Sequence, residues 1–226
     1  EGYDIVLLLD ASQSMQAQGF DENNRELDRF AVVQNIVKDF IDKRPNDNLG
    51  MIVFGEYAFV ASPITYDKHI LSKLLDQLYI GVAGKKTAIF DAIAQSVTLM
   101  HENKAKSKIA ILLTDGQNTA GQMPYDAAIS LAQREGMKIY SIGIGRPGEF
   151  AEGTLAQIAK ETGGTFFAAY SAAQLEGIYE EINALEKSEL VGEKFLDKSH
   201  YYVYFVFISF MTLLFYLVLR SKKGWA

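Results

Sequence analysis

Short, continuously apolar runs alternate along this chain with segments of helical period. That rhythm constrains the fold more than any other feature, because it is the pattern of an α/β domain built on a mainly parallel sheet. The first run, residues 4–9 (DIVLLL), shows no polar alternation, as in a central strand covered on both faces. An amphipathic helix follows at about residues 28–43, with Phe30, Val33, Val37, Phe40 and Ile41 on one side and Pro45 just beyond its end. Strands near 49–54 and 57–61, separated by Gly55-Glu56, read as a hairpin. Helices are expected near 68–78, 87–103, 125–135, 153–162 and 172–187, with strands near 109–113, 138–142 and 165–168. The expected fold is therefore a doubly wound α/β domain, Rossmann-like, its mainly parallel central sheet flanked by helices, over residues 1–188.

The remainder differs in kind. Residues 189–200 are polar and mixed in charge and read as a juxtamembrane linker. Residues 201–219 (YYVYFVFISFMTLLFYLVL) carry no charge, Gly or Pro. As a helix at ~1.5 Å per residue they span about 28 Å, close to a bilayer's hydrocarbon thickness. Tyr201, Tyr202 and Tyr204 at one end and Trp225 beyond the other suit interfacial anchors. One C-terminal transmembrane helix is expected, followed by a basic tail at 220–226. Arg220, Lys222 and Lys223 in that tail lie denser and nearer the span than Lys187, Lys194 and Lys198 before it, which places the tail in the cytoplasm and the domain outside it. The chain opens on Glu1 without an initiator Met and reads as trimmed or processed.

Composition excludes some functions. A formal net charge of −6 leaves no basic excess to displace counterions from nucleic acid. With no cysteine, thiolate metal sites, cysteine nucleophiles and disulfides are ruled out. The three histidines, His69, His101 and His200, fall in no metal or nucleophile motif. Residues 143–148 (GIGRPG) match G-x-G-x-x-G, but after a late strand and with Pro147 inside, which does not fit a dinucleotide turn. Residues 84–87 (GKKT) lack the earlier glycine of a phosphate loop, since position 79 is Tyr. An aspartyl phosphatase would want a second acid where Ser12 stands.

One constellation remains. At the end of the first apolar run lie Asp10, Ser12 and Ser14, which in a roughly extended chain point to one side. A second strand ends in Thr114-Asp115-Gly116, and Thr87 opens a helix after the glycine-bearing loop 81–86. In open parallel sheets ligands gather at the carboxyl ends of strands where strand order reverses. Two carboxylates and three hydroxyls suit a hard cation, Mg²⁺ or Mn²⁺ before Ca²⁺. An outside carboxylate completing the coordination would make this a docking point for an Asp or Glu of another protein. The same oxygens also admit a metal-assisted hydrolase, and the apolar run an oligomeric membrane subunit.

These residues resemble the von Willebrand factor A (vWA) family, whose metal-ion-dependent adhesion site is a DxSxS motif with a distant Thr and a distant Asp. The matching positions are Asp10, Ser12, Ser14, Thr87 and Asp115, and the resemblance covers residues 3 to about 187. It implies direct metal contact by Ser12, Ser14 and Thr87, with Asp10 and Asp115 acting through bound water. Gln13 stands where many relatives have Gly. Residues 1–6 (EGYDIV), 44–47 (RPND), 104–108 (KAKSK) before 112–116 (LLTDG), and the C-terminal apolar run resemble the bacterial Bat (aerotolerance) membrane-anchored vWA proteins. That likeness implies upstream spans, an extracytoplasmic domain at a bacterial inner membrane, and partnership with sister Bat proteins and a MoxR-type AAA+ ATPase. It implies a scaffold or adaptor without catalytic activity.

Overall fold

The structure, a computed structural model, describes residues 3–101, 107–193, 209 and 211–212. The elements run in the order β1 (Asp4–Asp10), α1 (Arg29–Asp42), β2 (Asn48–Phe54), β3 (Ala58–Thr65), α2 (Lys68–Asp76), α3 (Ile89–His101), β4 (Lys108–Thr114), α4 (Tyr125–Arg134), β5 (Met137–Ile144), α5 (Glu152–Glu161), β6 (Phe166–Ala169) and α6 (Ala172–Glu193). They build a six-stranded sheet of order β3-β2-β1-β4-β5-β6. Only the edge strand β3 is antiparallel. The expected doubly wound, mainly parallel sheet is present.

Burial of β1 explains its place. All seven of its residues are buried. Val6 and Leu8 join the cluster formed with Ile89, Ala92 and Ile93 of α3, Ala128 and Ile129 of α4, and Leu155 and Ile158 of α5. Their alternates Ile5, Leu7 and Leu9 point to the other face and are equally inaccessible, so both faces are covered. Each such side chain contributes roughly 1.5–3 kcal/mol by leaving water. The sheet's interior is therefore the most strongly driven part of the fold.

Chain order reverses at the centre. β1 pairs on one side with β2 (Leu8↔Ile52, Asp10↔Phe54) and on the other with β4 (Leu9↔Leu113). The crevice outside the carboxyl ends of β1 and β4 is thus a topological switch point, where doubly wound sheets bind ligands.

Several boundaries differ from expectation for identifiable reasons. Asp28 lies outside α1 as its N-cap, its Oδ1 accepting the Ala31 N–H at 2.7 Å. β3 runs four residues beyond the expected Ala61, through Pro63, which an edge strand tolerates. The chain after Ser12 is not extended but closes a 3-10 turn at Gln13–Gln16. α6 continues past Lys187 to Glu193: residues 188–193 (SELVGE) hold no proline, and Glu189, Leu190 and Glu193 favour helix around the single Gly192.

Residues Glu1–Asn183 make one compact unit and Ala184–Ala226 a second. Among the described residues no helix is long and apolar enough to cross a membrane. Most of the apolar run at 201–219, the linker from 194 onward and the tail at 220–226 lie outside the described residues, although Ser209, Met211 and Thr212 are helical.

Gly143, on β5 beside Thr114, illustrates how tightly the switch-point side is packed. A Cβ there would stand 2.4 Å from the ring of Phe150, which is itself buried. Gly143→Ala is expected to cost about 1–3 kcal/mol in urea denaturation, and adding Phe150→Leu to return part of it. Equal stability of Gly143→Ala and wild type would show that the ring moves aside freely.

Candidate metal centre

The centre begins where β1 runs out. Asp10 is 1% exposed, and both its oxygens are engaged by the protein. Oδ1 accepts the Ser12 backbone N–H at 2.8 Å. Oδ2 accepts the Thr114 hydroxyl at 2.5 Å, across the β1–β4 pairing. The Asp10–Ser12 bond is an Asx turn, which bends the chain out of the sheet. The 3-10 turn then carries Ser14 back, so that its Oγ lies 3.0 Å from Ser12 Oγ. Convergence of these hydroxyls comes from a turn, not from strand alternation.

Ser14 Oγ donates to Asp115 Oδ1 at 2.5 Å. Asp115 follows directly on β4 and is 2% exposed. A line of hydrogen-bonded oxygens therefore runs from Ser12 through Ser14 to Asp115. Thr87 completes the set from the loop before α3. A Cβ built on Gly116 would stand 3.4 Å from Thr87 Oγ1 and 3.8 Å from Ser14 Oγ, so both hydroxyls face that backbone from within side-chain contact range. Thr87 is buried, and its backbone is pinned by Thr119, whose Oγ1 accepts the Thr87 N–H at 3.1 Å. Its own hydroxyl bonds to none of the described residues. Thr87 does not open α3, as expected, but lies two residues ahead of it. The cap of α3 comes instead from Asn118, whose Oδ1 accepts the Ile89 N–H at 2.7 Å.

All five expected residues thus meet at one place. Others at the centre were not expected: Thr114, Asn118, Thr119 and, above all, Arg29. Its Nη1 donates to Asp115 Oδ2 at 2.9 Å, with side-chain exposures of 9% and 0%. Its Nη2 pairs with Glu149. Thr114 could have been suspected from its place beside Asp115; no sequence pattern marks Arg29.

Burial weighs on both carboxyls. Burial pushes the Asp10 carboxyl up to about 6, against the Ser12 and Thr114 hydrogen bonds that favour its ionised form, and Asp115 adds to the rise. Burial raises Asp115 too, although hydrogen bonds from Ser14 and Arg29 and the Arg29 charge oppose it. A divalent ion among these oxygens would relieve both groups. The donor set of two carboxylates and three hydroxyls fits a hard cation. Among the described residues no group of three or more His, Asp or Glu side chains is placed to hold a metal, so a cation here depends on the hydroxyls.

Comparison with known proteins places this geometry. Residues 4–181 match the von Willebrand factor type A domain model. The chain belongs to that family. An uncharacterized protein of Borreliella burgdorferi is 30% identical to this vWA chain, covering 96% of it and 68% of the relative. A UPF0353 protein of Mycobacterium avium is 28% identical over 77% of the chain, which spans only 58% of that relative's length. Among solved structures, the conserved hypothetical protein BatB of Bacteroides thetaiotaomicron shares the fold, with a TM-score of 0.69 at 23% identity over 82% of this chain and all of its own. The proximal thread matrix protein 1 of the mussel byssus, solved with zinc in its MIDAS motif, matches with a TM-score of 0.66 at 26% identity, covering 82% of this chain and 46% of that one.

The raised Asp10 pKa has a measurable consequence. The folded carboxyl holds its proton more tightly than the unfolded one, so ionising it costs stability. That cost is absent below about pH 4, grows between pH 4 and 6, and is complete above, where it amounts to about 3 kcal/mol. Asn at this position has no charge, keeps the Ser12 N–H bond through Oδ1 and can meet Thr114 with the bond reversed, its Nδ2 donating to the hydroxyl oxygen. Metal-free Asp10→Asn is expected to exceed wild type by about that amount at pH 8 in urea denaturation and to converge with it near pH 4. A difference independent of pH would rule the account out.

Proposed function

We propose that this vWA domain is a metal-dependent protein-binding module without catalytic activity, in which Asp10, Ser12, Ser14, Thr87 and Asp115 hold a divalent cation and a partner protein supplies an Asp or Glu to it. One observation carries the reading: hydrogen bonds link Ser12, Ser14 and Asp115 in one line, and the Ser14 and uncommitted Thr87 hydroxyls face the same Gly116 backbone. Such a cluster of buried oxygens, with two carboxyls raised by burial, is what a hard cation stabilises. Mg²⁺ is the ion proposed, with Mn²⁺ next and Ca²⁺ third. The zinc-occupied MIDAS of the mussel protein supports divalent binding without choosing the metal.

The surroundings suit a docking face. Tyr57 and Tyr79 are 54% and 64% exposed and flank the turn that leads to Thr87. Tyr57 donates its hydroxyl to Val82 O at 3.1 Å, and Gly81 N–H bonds Ala11 O at 2.7 Å, tying that turn to the motif. Exposed tyrosines supply much of the binding energy at protein interfaces.

The wider setting is proposed on the Bat-like features of the sequence and on the shared fold with BatB. The domain acts as a scaffold or adaptor at a bacterial inner membrane, facing the extracytoplasmic side and anchored by residues 201–219. Sister Bat proteins and a MoxR-type AAA+ ATPase are the partners this setting suggests.

Calorimetric titration of the metal-free protein with Mg²⁺ and Mn²⁺ tests the core of the reading. Saturable binding is expected, weakened at least about tenfold by Ser12→Ala and abolished by Asp10→Ala, with circular dichroism unchanged. Unaltered affinity in both variants would sink the site. Turnover of p-nitrophenyl phosphate that disappears with EDTA would replace the docking reading with a hydrolase.

A further inference from the structure

Asp115 turns one oxygen towards Ser14 and the other towards Arg29. Beyond Arg29 opens a cavity of about 190 Å³, lined by residues 17–20 and by Arg29, Arg146, Glu149 and Tyr170. Arg29 is its inner wall and links it to the metal centre through a single ion pair. The guanidinium is nine-tenths buried, yet its Nε has no hydrogen-bond partner. Arginine offers five donors and no acceptor, and a buried donor left unmatched costs free energy. The wall is therefore short of acceptors.

The acceptor it does hold engages only one of its two oxygens with the described residues. Glu149 lies on the loop between β5 and α5, its side chain 39% exposed. One oxygen, Oε2, serves both Arg29 Nη2 and the Arg146 backbone N–H, the latter at 2.9 Å. Arg146 is exposed and lines the same cavity. Two guanidinium groups thus share a cavity with one carboxylate, and that carboxylate sits on the solvent side. A divalent cation drawing on Asp115 sharpens the imbalance: the metal and both arginines then exceed Asp10, Asp115 and Glu149 by one positive charge.

We propose that this cavity is a second carboxylate subsite. The partner is an acidic peptide segment that docks through two carboxylates, one on the metal and one on Arg29 and Arg146, where it displaces Glu149. Glu149 holds the place until then. The proposal rests on the metal-docking reading and adds the partner's second acid. Arginine forks favour this ligand because they grip carboxylates through paired, charge-assisted hydrogen bonds.

The test uses the full chain in detergent with saturating Mg²⁺. Probes are capped, fluorescently labelled peptides bearing two aspartates separated by one, two or three glycines, each matched to a peptide whose second aspartate is asparagine. For at least one spacing the diacid is expected to bind wild type about tenfold more tightly than its single-acid match. Arg146→Gln should bring that ratio close to one, and Glu149→Gln should widen it. Mg²⁺ affinity and single-acid binding should stay the same in Arg146→Gln, whose side chain is exposed; Glu149→Gln is read only through the ratio of diacid to single-acid binding, since Glu149 reaches Asp115 through Arg29. A ratio near one at all spacings, with single acids still bound in a Mg²⁺-dependent way, overturns the subsite alone. So does a ratio that survives Arg146→Gln. No Mg²⁺-dependent binding of any peptide overturns the docking reading and the subsite with it.

Discussion

Parallel pairing of β1 with β4 sets Asp10 against Thr114 and one residue from Asp115, so two carboxylates end up buried at the same edge of one sheet. Burial of this kind is costly for a charged group unless donors or a cation compensate it. The surrounding structure is arranged around that cost. The Ser12 N–H and the Thr114 hydroxyl hold Asp10, while Ser14 and Arg29 hold Asp115. The Asx turn and the 3-10 turn that follow β1 are the backbone's means of bringing two of those donors into place.

A fold selected only for stability would not keep this arrangement. The apolar run of β1 ahead of Asp10 shows how readily such positions could be filled by packing: Leu7, Leu8 and Leu9 are wholly inaccessible. Replacing that pattern by Asp10 and Asp115 sacrifices stability at the carboxyl ends of the two central strands. Local violations of an otherwise consistent sequence mark function. Here the violation coincides with the topological switch point, where the fold already offers an open crevice. The Arg29 bridge extends the same logic outwards, coupling the buried carboxylate to a surface loop through Glu149.

Much of the architecture was legible because it is written in local patterns. The continuous apolar run of β1 reported burial on both faces, and the apolar stripe of α1 reported its inward side. The five candidate site residues were legible as a family motif in the right order. What sequence patterns misjudged was how they converge. Strand alternation was the expected device for Ser12 and Ser14, whereas the Asp10 side chain competes for the Ser12 N–H and turns the chain. Thr87 was expected to open a helix, but Asn118 from another loop takes the capping role and leaves Thr87 ahead of it.

By itself the sequence determined the strands, the helices and the mainly parallel sheet, and nominated five oxygen-bearing residues for the site, because each depends on residue type and spacing over a few neighbours. Tertiary structure alone decided the roles of Arg29, Thr114 and Glu149. Arg29 and Asp115 are far apart in the chain, and Arg29 looks like any first residue of an amphipathic helix. No local periodicity records which side chain will face a carboxylate once two distant segments have packed. That depends on the register of β1 against β4 and on where α1 begins, which only the assembled sheet settles.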